Sequence, residues 1–226
     1  YNTDVRCLDT YNGVRWIACN TIGATDVYNP VTGQVWMDRN LGASQRATSS
    51  TDAAAYGDLY QWGRVADGHE KRTSAVYNAV LSTDGVANFN ASGNAWDGEF
   101  IRRNTRDNNW VDPSVSGVDN LWQGVNGTNN PCPAGFRLPT DTEWDAERLS
   151  WSSNKSAGAF DSPLKLPVAG FRIHGTGELD YVGSLGYYWS STVSGANARR
   201  LFFDSSSAVM GASYRAYGFS VRCLKD

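Results

Sequence analysis

The sequence predicts a mixed α+β domain built from short strands, two helices and a long loop region. Three observations predict it. From Gly186 to Asp226 apolar and polar side chains alternate with a period of two, as strands do. A Thr-x-x-Glu capping signal, Thr140 with Glu143, opens a helix, and an alanine run after Asp52 marks another. Between residues 67 and 130, Asn, Gly and Asp dominate and no period is sustained. At 226 residues the chain fits one large domain or a domain with an elaborated loop region.

Residues 1 to 20 read as two short strands, V-R-C-L and V-R-W-I-A-C, about a turn from Asp9 to Gly13. V-R-C-L recurs at 221–224, with no longer repeat around it. In D-V-Y-N-P-V-T-G-Q-V-W-M-D, Asn29-Pro30 opens a hairpin turn and Gly33 closes it. Ser50 or Thr51 is placed to cap a helix that begins near Asp52 and carries Ala53 to Ala55, Leu59 and Trp62. Gly57 weakens this helix and Gly63 ends it. A loop region as long as 67–130 is either functional or disordered. Trp96, Phe100, Trp110 and Trp122, spaced along it, argue for a folded region pinned by aromatic anchors. D-T-E-W-D-A-E-R-L reads as a helix with Trp144, Arg148 and Trp151 on one stripe. L-K-L-P-V-A-G-F-R-I reads as a strand and G-T-G-E-L-D as a turn.

In the C-terminal stretch, Leu201 and Phe203 fall on one side of a pleat and Arg200, Phe202 and Asp204 on the other. Ala208 and Met210 face inward around Val209. Phe219, Val221 and Cys223 repeat the pattern, with Ser220 and Arg222 outward. Ser205 to Ser207 and Gly211 to Ser213 are suited to turns. The outer side mixes cationic, acidic and aromatic residues with no catalytic convergence, so it reads as a contact surface.

The runs G-Y-Y-W-S-S-T, N-A-R-R-L-F-F and R-A-Y-G-F-S-V-R-C-L-K-D resemble C-type-lectin-fold domains of the major paralogous domain (FISUMP) type. More narrowly they resemble the variable proteins of diversity-generating retroelements. W-M-D-R-N-L-G-A, A-A-A-Y-G-D-L-Y-Q-W-G-R and N-P-C-P-A-G-F-R-L-P-T-D-T-E-W carry the resemblance further up the chain. It implies a single C-type lectin-like domain over residues 1–226, with an insertion-like region at 67–130 and a variable ligand-binding region at 186–223. It also implies that the N-terminal strands lie beside the Phe219–Cys223 strand, and that the 52–62 helix is the first of two.

The resemblance further implies a contact surface varied by adenine-directed mutagenesis. On this chain that surface comprises Arg200, Phe202, Asp204, Ser207, Val209, Gly211, Ala212, Ser213, Tyr214 and Tyr217. Each of these residues is reachable by changing the adenines of an Asn codon. Tyr187, Tyr188, Phe202, Tyr214 and Tyr217 are then expected to supply amphipathic contact area. The expected partner is an external protein or glycan, and the expected location a cell surface, the extracellular space or a virion surface. A fixed adhesin or glycan-binding module of the same fold is the alternative.

Four cysteines, Cys7, Cys19, Cys132 and Cys223, lack zinc-ligand spacing and allow three pairings if all are bonded, or free thiols. The resemblance implies the pair Cys132–Cys223, leaving Cys7 with Cys19. No cofactor is expected. Neither lectin calcium triplet (E-P-N or Q-P-D, and W-N-D) occurs, which argues against metal-bridged sugar binding, and the plentiful acidic and amide residues leave an incidental Ca²⁺ site open without naming its ligands. Formylglycine-generating enzymes are similar to this fold class but use a late cysteine pair, and here Cys223 is the one late cysteine. His69 and His174 sit in turn-like contexts with no nucleophile motif beside them, so no catalytic role is expected. A net charge of -3 without a basic patch argues against nucleic acid, and no apolar run is long enough to span a bilayer. No signal-peptide pattern opens the chain at Tyr1, which carries no inference about compartment.

Overall fold

The computed structural model describes residues 10–11, 16–17, 25–78, 88–90, 92–103, 109–112 and 114–226. It is strand-rich α+β, with two α-helices and several small sheets among those residues. No helix among them is long and apolar enough to cross a membrane.

Among the described residues, β1 (Thr10–Tyr11) and β2 (Trp16–Ile17) pair only with each other. Thr10 and Tyr11 are therefore strand, where a turn was expected from Asp9 to Gly13. V-R-C-L, Cys7 and Cys19 lie outside the described residues.

The expected hairpin forms from β3 (Asp26–Asn29) and β4 (Gln34–Met37). Asn29 then ties it to the helix layer. Its Nδ2 donates to Glu147 Oε2 at 2.5 Å and to Ser150 Oγ at 3.0 Å.

The alanine run does not make the expected helix. Ala53–Ala55 is one 3-10 turn capped by Asp52, whose carboxylate accepts from the Ala54 N–H at 3.1 Å, so neither Ser50 nor Thr51 is the cap. Gly57 follows at φ +67, where a β-carbon would meet the Leu41 carbonyl oxygen. A helix cannot run through that position, and helix propensity over three alanines does not outweigh it. The chain goes straight on into β5 (Tyr60–Gln61).

The 67–130 region contributes β6 (Val76–Asn78) and β7 (Phe100–Arg102), which pair in parallel. Its anchors behave as expected: Trp96, Phe100, Trp110 and Trp122 are all buried. Two of their indole N–H groups reach backbone carbonyls, Trp110 to Trp62 at 2.6 Å and Trp122 to Asn129 at 2.9 Å.

After β8 (Phe136–Arg137), Thr140 and Glu143 close a reciprocal capping box on α1 (Asp141–Leu149). Trp144 and Trp151 are buried from this stretch as expected. Arg148 instead pairs with Asp145, and Glu147 takes the buried position. A second helix, α2 (Ser156–Asp161), had no sequence signal. The expected 164–173 strand shrinks to β9 (Phe171–Arg172), which pairs with β10 (Leu179–Asp180).

The C-terminal meander comprises β11 (Gly186–Ser194), β12 (Asn197–Phe203) and β13 (Ala208–Tyr214). Gly211 to Ser213 lie within β13, so the expected turn there is corrected: it comes later, at Arg215 and Ala216. β14 (Gly218–Phe219) completes a four-stranded sheet in the order β10-β9-β14-β5. β15 (Leu224–Lys225) sits between β4 and β8. The 26–37 hairpin thus lies beside the end of the chain, as expected of the N-terminal strands, with the Met37 N–H donating to the Cys223 carbonyl at 3.0 Å.

Ser220 and Arg222, expected outward, are buried. The chain has left the meander there and runs between packed layers. Arg222 donates to Asn40 Oδ1 at 2.9 Å and to the Leu164 carbonyl at 2.8 Å. Cys132 and Cys223 form a disulfide, tying the approach to α1 to the chain's last turn of backbone.

Two cores result, one on each side of the meander. The first gathers Trp62, Trp96, Trp110, Trp122, Trp189 and Phe219. The second gathers Trp36, Trp144, Trp151, Tyr188, Leu201 and Phe203.

Candidate ligand-binding face

Pairing register decides which side chains share a face, because residues directly opposite in an antiparallel pair project the same way. Tyr187, Phe202 and Val209 form one row across the meander, and Arg200 with Gly211 the next. Leu201, Phe203 and Ala208 project the other way and are buried in the second core against α1. Tyr188 belongs with them. It is fully buried and its hydroxyl donates to the Pro167 carbonyl at 2.8 Å, so the expectation that it supplies contact area is corrected.

The Tyr187 face is part floor and part ledge. Trp189 and Ala198 on it are buried in the first core. Beyond them Tyr187 and Phe202 are partly exposed, and Val209 is 46% exposed.

Aromatic rings from three segments meet here. Tyr187 lies 5.0 Å from Phe202 and 5.0 Å from Phe171, centroid to centroid. Phe171 in turn stacks on Tyr181 at 6.0 Å and meets Tyr217 edge-on at 5.7 Å. Tyr217 contacts His174 at 4.5 Å and stacks on Tyr214 at 6.3 Å. Phe171, His174 and Tyr181 were not among the expected site residues. They come from the β9–β10 hairpin, and nothing local in their sequence says which sheet that hairpin joins. Tyr181 has a left-handed backbone (φ +50), unusual for a bulky residue, and 55% of its surface is exposed.

Arg200 lies over the rings of Tyr187 and Phe202, at 5.0 and 5.3 Å. Its Nε donates to Ser213 Oγ at 3.1 Å, while its buried Nη1 has no partner. Burial lowers its pKa, with Tyr187 opposing, and raises those of Tyr187 and Tyr217. Burial also lowers the pKa of His174, against the bond between its Nδ1 and the Arg103 carbonyl. At neutral pH the cluster therefore carries a single positive charge, on Arg200.

The other expected positions are placed as follows. Asp204 accepts from Ser206 N, Ser206 Oγ and Ser207 N, each at 2.7 Å, and so builds the turn between β12 and β13. The Ser206 hydroxyl bond, with the turn's N–H groups, holds its pKa below the usual carboxylate range. Ser207 belongs to the same turn. Ala212 is opposite Arg199 and falls on the α1 side of the sheet, where Arg199 pairs with Asp141. Arg200, Phe202, Val209, Gly211 and Ser213 thus share a face with Tyr187. Tyr214, opposite Asn197, falls by register on the side of Ala212, but as the last residue of β13 its ring reaches His174 and Tyr217 at the edge of the cluster.

A second polar cluster lies elsewhere. Asp67, His69 and Glu70 present ligand-type atoms within 4.8 Å of one another. Those atoms are already engaged. His69 Nε2 accepts from the Gln61 N–H at 3.1 Å and Nδ1 bonds Asp67 Oδ1 at 2.6 Å, which fixes a neutral imidazole. Asp67 also pairs with Arg64, and Glu70 accepts from the Gly68 N–H. The cluster braces the loop after β5.

Comparison of the chain with protein-family models, with curated proteins and with solved structures finds no significant match in any of the three.

Proposed function

We propose that this chain is a ligand-binding protein of C-type lectin-like fold, displaying diversified residues of its C-terminal meander to an external partner at a cell, virion or extracellular surface. The observation that carries the reading is the two-sidedness of the meander. Leu201 and Phe203 are wholly buried on one side, while Phe202 and Val209 between and opposite them stay partly open. Side chains on the open side can change without disturbing the second core, which is what a varied surface requires. The ledge is rich in Tyr, Phe and Arg, residue types that give contact area with little side-chain entropy to lose. The Cys132–Cys223 bridge, in the place the sequence resemblance implies, anchors the end of the segment that follows the meander.

The test pans the immobilised chain against a displayed random-peptide library and a glycan array. Binders should be lost in the Phe202→Ala, Tyr214→Ala double variant while its melting temperature stays close to that of the parent. Binders indifferent to that variant, or a collapse in melting, would sink the reading. The diversification component has its own test. An imperfect copy of the codons for residues 187–222, differing mainly at adenines and near a reverse-transcriptase gene, is expected in the source genome.

A further inference from the structure

Arg200 differs from four other arginines packed into this chain, Arg64, Arg172, Arg215 and Arg222, in what its terminal nitrogens meet. Arg64 and Arg215 reach Asp67 and Asp119. Arg172 donates to the carbonyls of Gly177, Lys71 and Ser74 and to Ser74 Oγ. Arg222 is shared between Asn40 and the carbonyls of Met37 and Leu164. For Arg200 the one hydrogen-bond partner among the described residues is Ser213 Oγ, and its Nη1 is buried and unpaired. Nor does the neighbourhood supply an anion: the Asp204 carboxylate is spent on its own turn, and the ring contacts around Arg200 are Tyr187 and Phe202. A guanidinium drawn out of water with unspent donors is costly until a matching acceptor arrives, and a carboxylate matches its planar fork.

We infer that the Arg200 site, walled by Tyr187 and Phe202 and floored by Gly211, receives the carboxylate of an acidic side chain from a protein partner. The inference rests on the ligand-binding reading above and names the chemistry of that ligand. Arg200 is only partly buried, so the carboxylate approaches its guanidinium from the open side of the meander, while the flanking rings take the partner's neighbouring apolar residue. A protein is favoured over a glycan because the eight tryptophans whose side chains the structure describes are all buried, and none of them offers an indole face on the ledge for a sugar ring.

The experiment selects binders to the intact chain from a displayed random-peptide library and keeps those lost in Phe202→Ala. These peptides should be enriched in Asp or Glu beside an apolar residue. Replacing that acid by its amide in the peptide, with the protein unchanged, should weaken binding by about tenfold or more. Arg200→Gln should abolish the difference between acid and amide peptides, and Arg200→Lys, which keeps charge without the fork, should restore only part of it. Face-dependent peptides that bind equally well as acid and amide overturn the Arg200 inference while leaving the binding face standing. If no peptide depends on the face, both fall together.

Discussion

The guanidinium of Arg200 lies across the α-carbon of Gly211 on the neighbouring strand, so close that a β-carbon there would stand 3.2 Å from Cζ. The absent side chain is what lets the arginine lie flat and reach Ser213. Gly211→Ser should therefore lift the guanidinium. The far end of a flexible side chain yields readily, and strand propensity improves, so melting should change by only about 2 °C. The Arg200 Nε–H resonance should lose its Ser213 bond. An unmoved Arg200 signal would contradict the arrangement.

The sidedness of the meander gives a stability contrast between adjacent residues. Phe203→Ala removes a ring packed edge-on against Trp151 and should cost about 3–5 kcal/mol. Phe202→Ala, one residue away, should cost about 1 kcal/mol through the Tyr187 contact. Denaturant unfolding of the two variants measures the gap, and equal losses would refute the assignment of faces.

Cys132 and Cys223 are separated by 91 residues in sequence, and closing a loop of that length stabilises a fold by about 4–5 kcal/mol on the chain-entropy account. Replacing both by Ala should lower the guanidinium midpoint accordingly. Fluorescence-monitored unfolding with and without the bridge is the check.

His69 gives a pH signature. Burial, reinforced by the nearby Arg64 charge, pushes its pKa down from 6.5 to about 3. The folded value lies below the unfolded one, so acid favours the unfolded chain. The stability this group contributes is complete above about pH 6.5 and declines as pH falls towards 3, by about 1.4 kcal/mol per pH unit. His174 shifts in the same direction and adds to the decline. Urea midpoints measured from about pH 7 to about pH 4 should fall, and His69→Gln should flatten the profile. A profile identical to that of the parent would show that His69 is not held neutral.

Much of this was legible locally. The alternation through Leu201, Phe202 and Phe203 was readable because one side of that strand faces a core. The Thr140–Glu143 box was readable because its bonds span three residues. The spaced tryptophans of the loop region announced anchors, and they are anchors. The helix expected after Asp52 failed at Gly57, within its own stretch, whereas other failures depended on distant partners. Ser220 and Arg222 continue an alternating pattern, yet Arg222 is enclosed by Asn40 and Leu164, far away in sequence. The ledge residues Phe171, His174 and Tyr181 were missed for the same reason, since β14 brings their hairpin beside the meander only in the folded chain.

The distribution of aromatic residues also separates two optical signals. The eight tryptophans from Trp36 to Trp189 are internal, with none more than 8% exposed, whereas the ledge is assembled from tyrosine and phenylalanine. Emission excited in the indole band will therefore follow collapse of the interior and stay largely indifferent to occupancy of the ledge. Tyrosine absorbance will report the occupant. One sample, followed at two wavelengths, can distinguish a variant that no longer folds from one that no longer binds.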